Sequence, residues 1–188
     1  MKEKSNEIKS KKIQIKDAAL IGLMTALIAA CAWISIPLTV PITLQTMGVC
    51  LAAGLLGAKR GTISVAAYIV LGLVGVPVFS GFKGGAGVLF GTTGGYIIGF
   101  IFTALIVGAA ADKFGKKLWV LAVSMVAGVL VCYAFGTVWF LVLYNRTSET
   151  AAGLATVLGW CVTPFLIPDA VKIAVAAVLT NRLKSFIK

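Results

Sequence analysis

An all-α integral membrane fold, a compact bundle of six transmembrane helices with both termini cytoplasmic, follows from three features of the sequence. Of the 188 residues, 60% are hydrophobic and 12% charged, with a mean hydropathy of +1.02, more apolar than a soluble core requires. Charges fall in clusters, leaving Ala18 to Ala58, Gly61 to Phe82, Gly84 to Ala111 and Leu118 to Asn145 free of Asp, Glu, Lys and Arg. Each run holds at least one span of about 20 residues, and the first holds two. Finally, Lys and Arg sort by loop: six in the N-terminal tail, Lys59 and Arg60, then Lys113, Lys116 and Lys117, then Arg182, Lys184 and Lys188. Those fourteen fall on one side, against Lys83 and Arg146 on the other, so the net charge of +11 is the signature of the positive-inside rule. An even number of spans results.

Pro37 and Pro41 divide the first run, placing helix 1 at Ala18 to Ile36 and helix 2 at Leu44 to Ala58. Helix 3 covers Thr62 to Val76, helix 4 Gly91 to Ala111, helix 5 Leu118 to Leu143 and helix 6 Phe165 to Leu183. Ser148 to Val162 is either an interfacial helix or the upper part of a proline-broken span. Cys31, Cys50, Cys132 and Cys161 lie in apolar runs without metal-ligand spacing and read as small core residues. Ile28-Ala29-Ala30-Cys31 looks like a lipoprotein processing site, but cleavage there would leave five spans, against the charge tally.

Helix 3 is short, 15 residues or about 22 Å against about 30 Å of hydrocarbon. It leads into GVPVFSGFKGGAGVLFGTTGGY, with eight glycines in 22 residues from Gly75 to Tyr96. Such a segment is not helical throughout, and non-helical backbone at membrane depth persists only inside protein or against a cavity. An outward-facing cavity is the economical inference. Glycines such as Gly84 and Gly85 would let backbone N–H groups approach a ligand, and Phe79, Phe82 and Tyr96 would supply apolar faces. The competing reading is that these glycines serve close helix packing.

PFLIPDAVKIAVAAVL sets Asp169 and Lys172 on one helical face at the start of helix 6, with Pro168 suited to its first position. A lysine within a span costs about 2.5 to 3.5 kcal/mol, so Lys172 should face the interior with a partner. The pair is either structural or ligand-binding. Enzymatic chemistry lacks its usual groups: there is no His, no phosphate-binding GxxxxGK[ST] loop, and Asp112 and Glu149 fall in loops on opposite sides. A self-sufficient secondary transporter of a small anionic metabolite is the alternative class, since an Asp-Lys pair can relay protons, but the chain shows no convincing internal repeat.

Four segments, VPITLQTMGV at Val40 to Val49, LLGAKRG at Leu55 to Gly61, GVPVFSGFKGGAGVLFGTTGGYIIGF at Gly75 to Phe100 and PFLIPDAVK at Pro164 to Lys172, carry a resemblance to a known family. In this order they resemble the BioY family, the biotin-specific substrate-binding (S) components of energy-coupling-factor (ECF) vitamin transporters. Thr92 departs from the family's usual GPTGGY pattern, and a polar residue expected near Gly81 is missing. The resemblance implies a six-helix binding domain over 18–183, flanked by basic cytoplasmic tails at 1–17 and 184–188, in a prokaryotic cell membrane. It implies biotin as transported ligand, no cofactor, and as partners a transmembrane coupling (T) subunit and two cytoplasmic ATPases.

The same resemblance points Lys172 at the biotin carboxylate, with Lys83 as second candidate at the mouth. Asp169 then either orients Lys172 or accepts from the ureido N–H groups. Thr43 and Gln45 fall at the lid or the pocket, although Gln45 is equally suited to bonding its neighbours. Small residues recur at Ala18, Gly22, Ala26 and Ala30, a flat stripe on helix 1. The family presents such a stripe to its coupling subunit; the alternative is packing within the bundle.

Overall fold

The computed structural model describes residues 2–148 and 151–186; Glu149 and Lys188 lie outside them. The described residues are all-α apart from one small hairpin and an isolated bridge between Phe79 and Lys83. Helix α1 (Lys2–Trp33) leads to strands β1 (Ser35–Ile36) and β2 (Ile42–Thr43), which pair antiparallel with Ser35 opposite Thr43. Then come α2 (Gln45–Leu73), a short α3 (Ala86–Leu89), α4 (Gly94–Phe114), α5 (Leu118–Thr147), α6 (Leu154–Cys161), a 3₁₀ turn (Thr163–Phe165) and α7 (Leu166–Leu183). Among the described residues, five stretches are long and apolar enough to cross a bilayer: Gln14–Trp33, α2, α4, α5 and Leu154–Leu183.

α2 contains a reversal where the sequence places two helices. Gly57 sits at φ 80°, ψ −178°, a conformation open to glycine and outside any helix. The arms 45–56 and 58–73 double back on each other: Gln45 Nε2 donates to Tyr68 Oη at 2.6 Å, although 23 residues of straight helix would separate them by about 34 Å. At the turn, the Asp112 carboxylate occupies the space a Gly57 side chain would fill and accepts from Ala58 N at 2.8 Å. It thus satisfies a free N–H at the start of the second arm, where negative charge is favoured.

The same end of the bundle is the basic one. Arg60 Nη1 pairs with Asp17 Oδ1 at 2.7 Å, Lys116 Nζ donates to Leu55 O at 2.5 Å, and Asn181 Nδ2 donates to Lys116 O at 2.8 Å. The start of the first membrane stretch, the Gly57 turn, the α4–α5 loop and the end of α7 therefore gather together. Burial pushes the Lys116 ammonium below its ordinary range, with Asp112 acting in the opposite direction.

Doubled α2 lies at the centre, packed on α1, α4 and α7, and α5 closes the bundle against α4 and α7. Tyr68, Phe79, Phe140, Ile28, Leu121 and Met125 are fully buried. Val123, Val126, Leu130, Val138 and Val142 of α5 and Val171, Val175 and Val178 of α7 are exposed, an apolar exterior suited to lipid.

Several boundaries differ from the sequence reading. α1 begins at Lys2 and not at Ala18, since residues 2–17, rich in Lys and Glu, have good helix propensity and simply extend the apolar helix. Ser148 to Val162, in contrast, agrees with either sequence reading: it holds the short helix α6, which with α7 makes up the apolar stretch Leu154–Leu183. Pro168 is the third residue of α7, still within the first turn, where no helical hydrogen bond to its nitrogen is lost. Cys31 lies inside α1 and is buried.

Candidate functional site

At the end opposite the basic cluster, the segments between helices enclose a cavity of about 520 Å³, within the range of small-molecule sites. Its upper wall combines the β1–β2 hairpin, through Ser35, Leu38 and Val40, with the 74–93 segment. Its depth is formed by Tyr96 and Phe100 of α4, Val129, Cys132 and Tyr133 of α5, and Asp169 and Lys172 of α7.

Asp169 and Lys172 are 3% and 6% exposed, one turn apart in α7, with Lys172 Nζ donating to Asp169 Oδ1 at 2.7 Å. The second carboxylate oxygen accepts from the Tyr133 hydroxyl, reaching across from α5. The deep end is thus a neutral but strongly dipolar pair. Breaking such a pair by removing one partner strands a buried charge, at a cost of about 3 to 5 kcal/mol.

The remaining sequence candidates divide. Thr43, Gln45, Phe79, Lys83 and Tyr96 line the same cavity as Asp169 and Lys172. Gln45 is also engaged by its neighbours: its backbone N donates to Thr43 Oγ1 at 3.2 Å, and its amide donates to Tyr68. Phe79 is 1% exposed, edge-on to Tyr68 at 5.5 Å between centroids, and its ring occupies the space a side chain at Gly72 would need. Tyr96 Oη shares a hydrogen bond of 3.0 Å with Thr137 Oγ1. Lys83 is exposed at the rim and, among the described residues, is the cavity-lining cation outside any ion pair.

Gly84 and Gly85 are not part of the lining. Gly85 adopts φ +95° and its N–H donates to Gly72 O at 2.6 Å, so this pair shapes the loop from behind. Cys132 and Cys161, which the sequence marks as small core residues, also line the cavity, together with Phe165 and Tyr133, to which the sequence assigns no role. Tyr133 sits in the unbroken apolar run of α5; its only signal is that a hydroxyl in such a run needs a buried partner. The stripe Ala18, Gly22, Ala26 and Ala30 is exposed along its whole length, and the Gly22 position meets no atom within 4 Å.

Comparison with known proteins agrees with this architecture. The BioY family model matches residues 3–188. The chain is 48% identical over 164 residues to "Biotin transporter BioY" of Thermotoga maritima, covering 87% of this chain and 92% of that one. It is 34% identical over 185 residues to "Biotin transporter BioY" of Rhodobacter capsulatus, covering 91% and 94%. A solved structure described as the S-component for biotin from an ECF-type ABC transporter superposes with a TM-score of 0.83 at 32% identity, covering 93% of each chain. A match across nearly the whole chain, on a helical fold with a cavity of ligand size, is decisive: the chain belongs to the BioY family.

Proposed function

We propose that the chain is the S component of an ECF-type transporter, capturing biotin from outside for ATP-driven uptake by a separate coupling subunit and two cytoplasmic ATPases. The observation that carries the reading is the cavity itself: a buried, neutral Asp169–Lys172 pair at its depth, apolar walls, and an unpaired cation, Lys83, at its rim. Biotin has a complementary layout, with a polar, uncharged ureido ring at one end and a carboxylate at the other. Because Asp169 already neutralises Lys172, the pair suits the ureido head, and the tail carboxylate is left for Lys83. This orientation reverses the simplest expectation for Lys172.

In the bilayer, the two arms of α2 count as separate spans, making six, with the basic end and both termini cytoplasmic and the cavity opening outward. Single cysteines at Ser80 and Lys116 in a cysteine-free background test this. Impermeant thiol reagents should label Ser80→Cys and spare Lys116→Cys in intact cells, and the reverse would overturn the orientation. Calorimetry of the purified chain tests the function: tight, one-to-one biotin binding without any partner is expected, and failure to bind would refute a capture role.

A further inference from the structure

The hydrogen-bond directions at the deep end assign a role to a residue that the Asp169–Lys172 pair alone does not explain. A carboxylate can only accept and an ammonium can only donate. Asp169 receives one donor on each oxygen, Lys172 Nζ on Oδ1 and the Tyr133 hydroxyl on Oδ2. Tyr133 has therefore spent its single proton on Asp169. Its phenolic oxygen keeps lone pairs and has nothing left to donate, while Tyr133 itself lines the cavity and is 9% exposed.

We propose that Tyr133 is a ligand-contacting residue whose oxygen, fixed as an acceptor by Asp169, takes one N–H of the bound ureido ring. The proposal rests on the reading of biotin as ligand. A cyclic urea carries two N–H donors flanking one carbonyl acceptor. Facing it, Lys172 offers its remaining N–H groups to the carbonyl, Asp169 keeps spare lone pairs for one ring N–H, and Tyr133 serves the other. The three buried side chains thus match the three polar groups of the ring one for one. The same arrangement discriminates: a ligand presenting an acceptor where biotin presents N–H meets an oxygen that cannot turn its proton toward it, because Asp169 holds that proton.

The test is a cycle between residue and ligand. Tyr133→Phe keeps the ring and removes only the oxygen; biotin and its two ureido N-methyl isomers are titrated against wild type and variant. Biotin should bind the variant about ten-fold more weakly, the loss of one buried hydrogen bond. For one isomer, the penalty for N-methylation seen in wild type should shrink by about the same factor, since its missing N–H no longer has a partner to lose. If Tyr133 only buttresses Asp169, all three ligands weaken equally and both N-methyl penalties stay unchanged, which overturns the assignment. Should Tyr133→Phe fail to fold, ureido-¹⁵N biotin bound to the unaltered protein decides: one ureido N–H must show a nuclear Overhauser contact to the Tyr133 ring, and its absence rejects the contact. If wild type does not bind biotin, the proposed function and this contact fall together, whereas uniform weakening in the variant removes Tyr133 alone.

Discussion

Trp33, the last residue of α1, stacks on Phe82 with ring centroids 5.1 Å apart and planes inclined by 23°, and its indole Nε1 donates to Pro77 O at 2.9 Å. Two contacts therefore clasp the end of α1 to the segment that covers the cavity. Phe82 holds φ 56°, a left-handed conformation that costs a non-glycine residue about 1 kcal/mol or more and persists where surroundings hold it.

The clasp should govern how quickly ligand leaves. An aromatic pair is worth about 0.5 to 1.5 kcal/mol, so Trp33→Ala is expected to speed biotin dissociation by up to about ten-fold. Trp33→Phe, which keeps a stacking ring and loses the bond to Pro77, should fall between. Stopped-flow displacement with labelled biotin measures the rate, and an unchanged rate in Trp33→Ala would show that the clasp is ornamental.

The two cavity lysines are expected to respond differently. Lys83→Met removes an exposed charge and should weaken biotin by no more than about five-fold, while leaving biotin amide untouched. Lys172→Met strands the buried Asp169 carboxylate, at a cost to folding of about 3 to 5 kcal/mol, and removes the ammonium facing the ureido carbonyl, so it should weaken both ligands alike. If Lys172→Met instead penalises biotin far more than its amide, the carboxylate lies at the deep end and the ligand is inverted.

How much of this was legible beforehand depends on what each residue needed to reveal itself. Asp169 and Lys172 announce themselves as charges in an apolar run spaced for one helix face, and they do pair. The charge-free runs give the approximate places of the helices, and Lys59 and Arg60 lie just past the reversal, inside the second arm of α2. That the reversal sits at Gly57 is hidden in the sequence, because a glycine serves packing equally well, and only its φ of 80° tells the difference. The same ambiguity applies to Gly84 and Gly85, which shape the loop and lie outside the cavity lining, where Phe79 takes part. Tyr133 was illegible for another reason: its role depends on α5 facing α7, a relation that no local pattern in α5 encodes.

Gly57 should be the least replaceable residue of the basic end. Alanine there must hold φ near 80° and would drive its methyl into the Asp112 carboxylate, so a loss of about 2 kcal/mol or more is expected. Asp112→Ala forfeits the bond to Ala58 N and should cost about 0.5 to 2 kcal/mol, with Asp112→Asn, which keeps an acceptor, closer to wild type. Thermal unfolding in detergent ranks the three; Gly57→Ala as stable as wild type would show that the reversal does not depend on glycine.

The last expectation concerns the α1 stripe. Met24, Thr25, Ile28, Ala29 and Ala32 turn inward and are buried, whereas Ala18, Gly22, Ala26 and Ala30 run along the side of the helix next to them and are all exposed. Packing within the bundle therefore does not account for their small size. In a bilayer, helices gain little from the hydrophobic effect and associate through close backbone approach, which residues with little or no side chain permit. The stripe is thus the proposed docking face for the coupling subunit. Gly22→Leu meets no atom of this chain, so it should leave folding and biotin binding by the isolated subunit intact. In the assembled transporter, Gly22→Leu combined with Ala26→Leu should abolish energised uptake and prevent co-purification of the coupling subunit. Undiminished uptake would move the docking face elsewhere, and joint loss of folding and binding would return the stripe to the interior of the bundle.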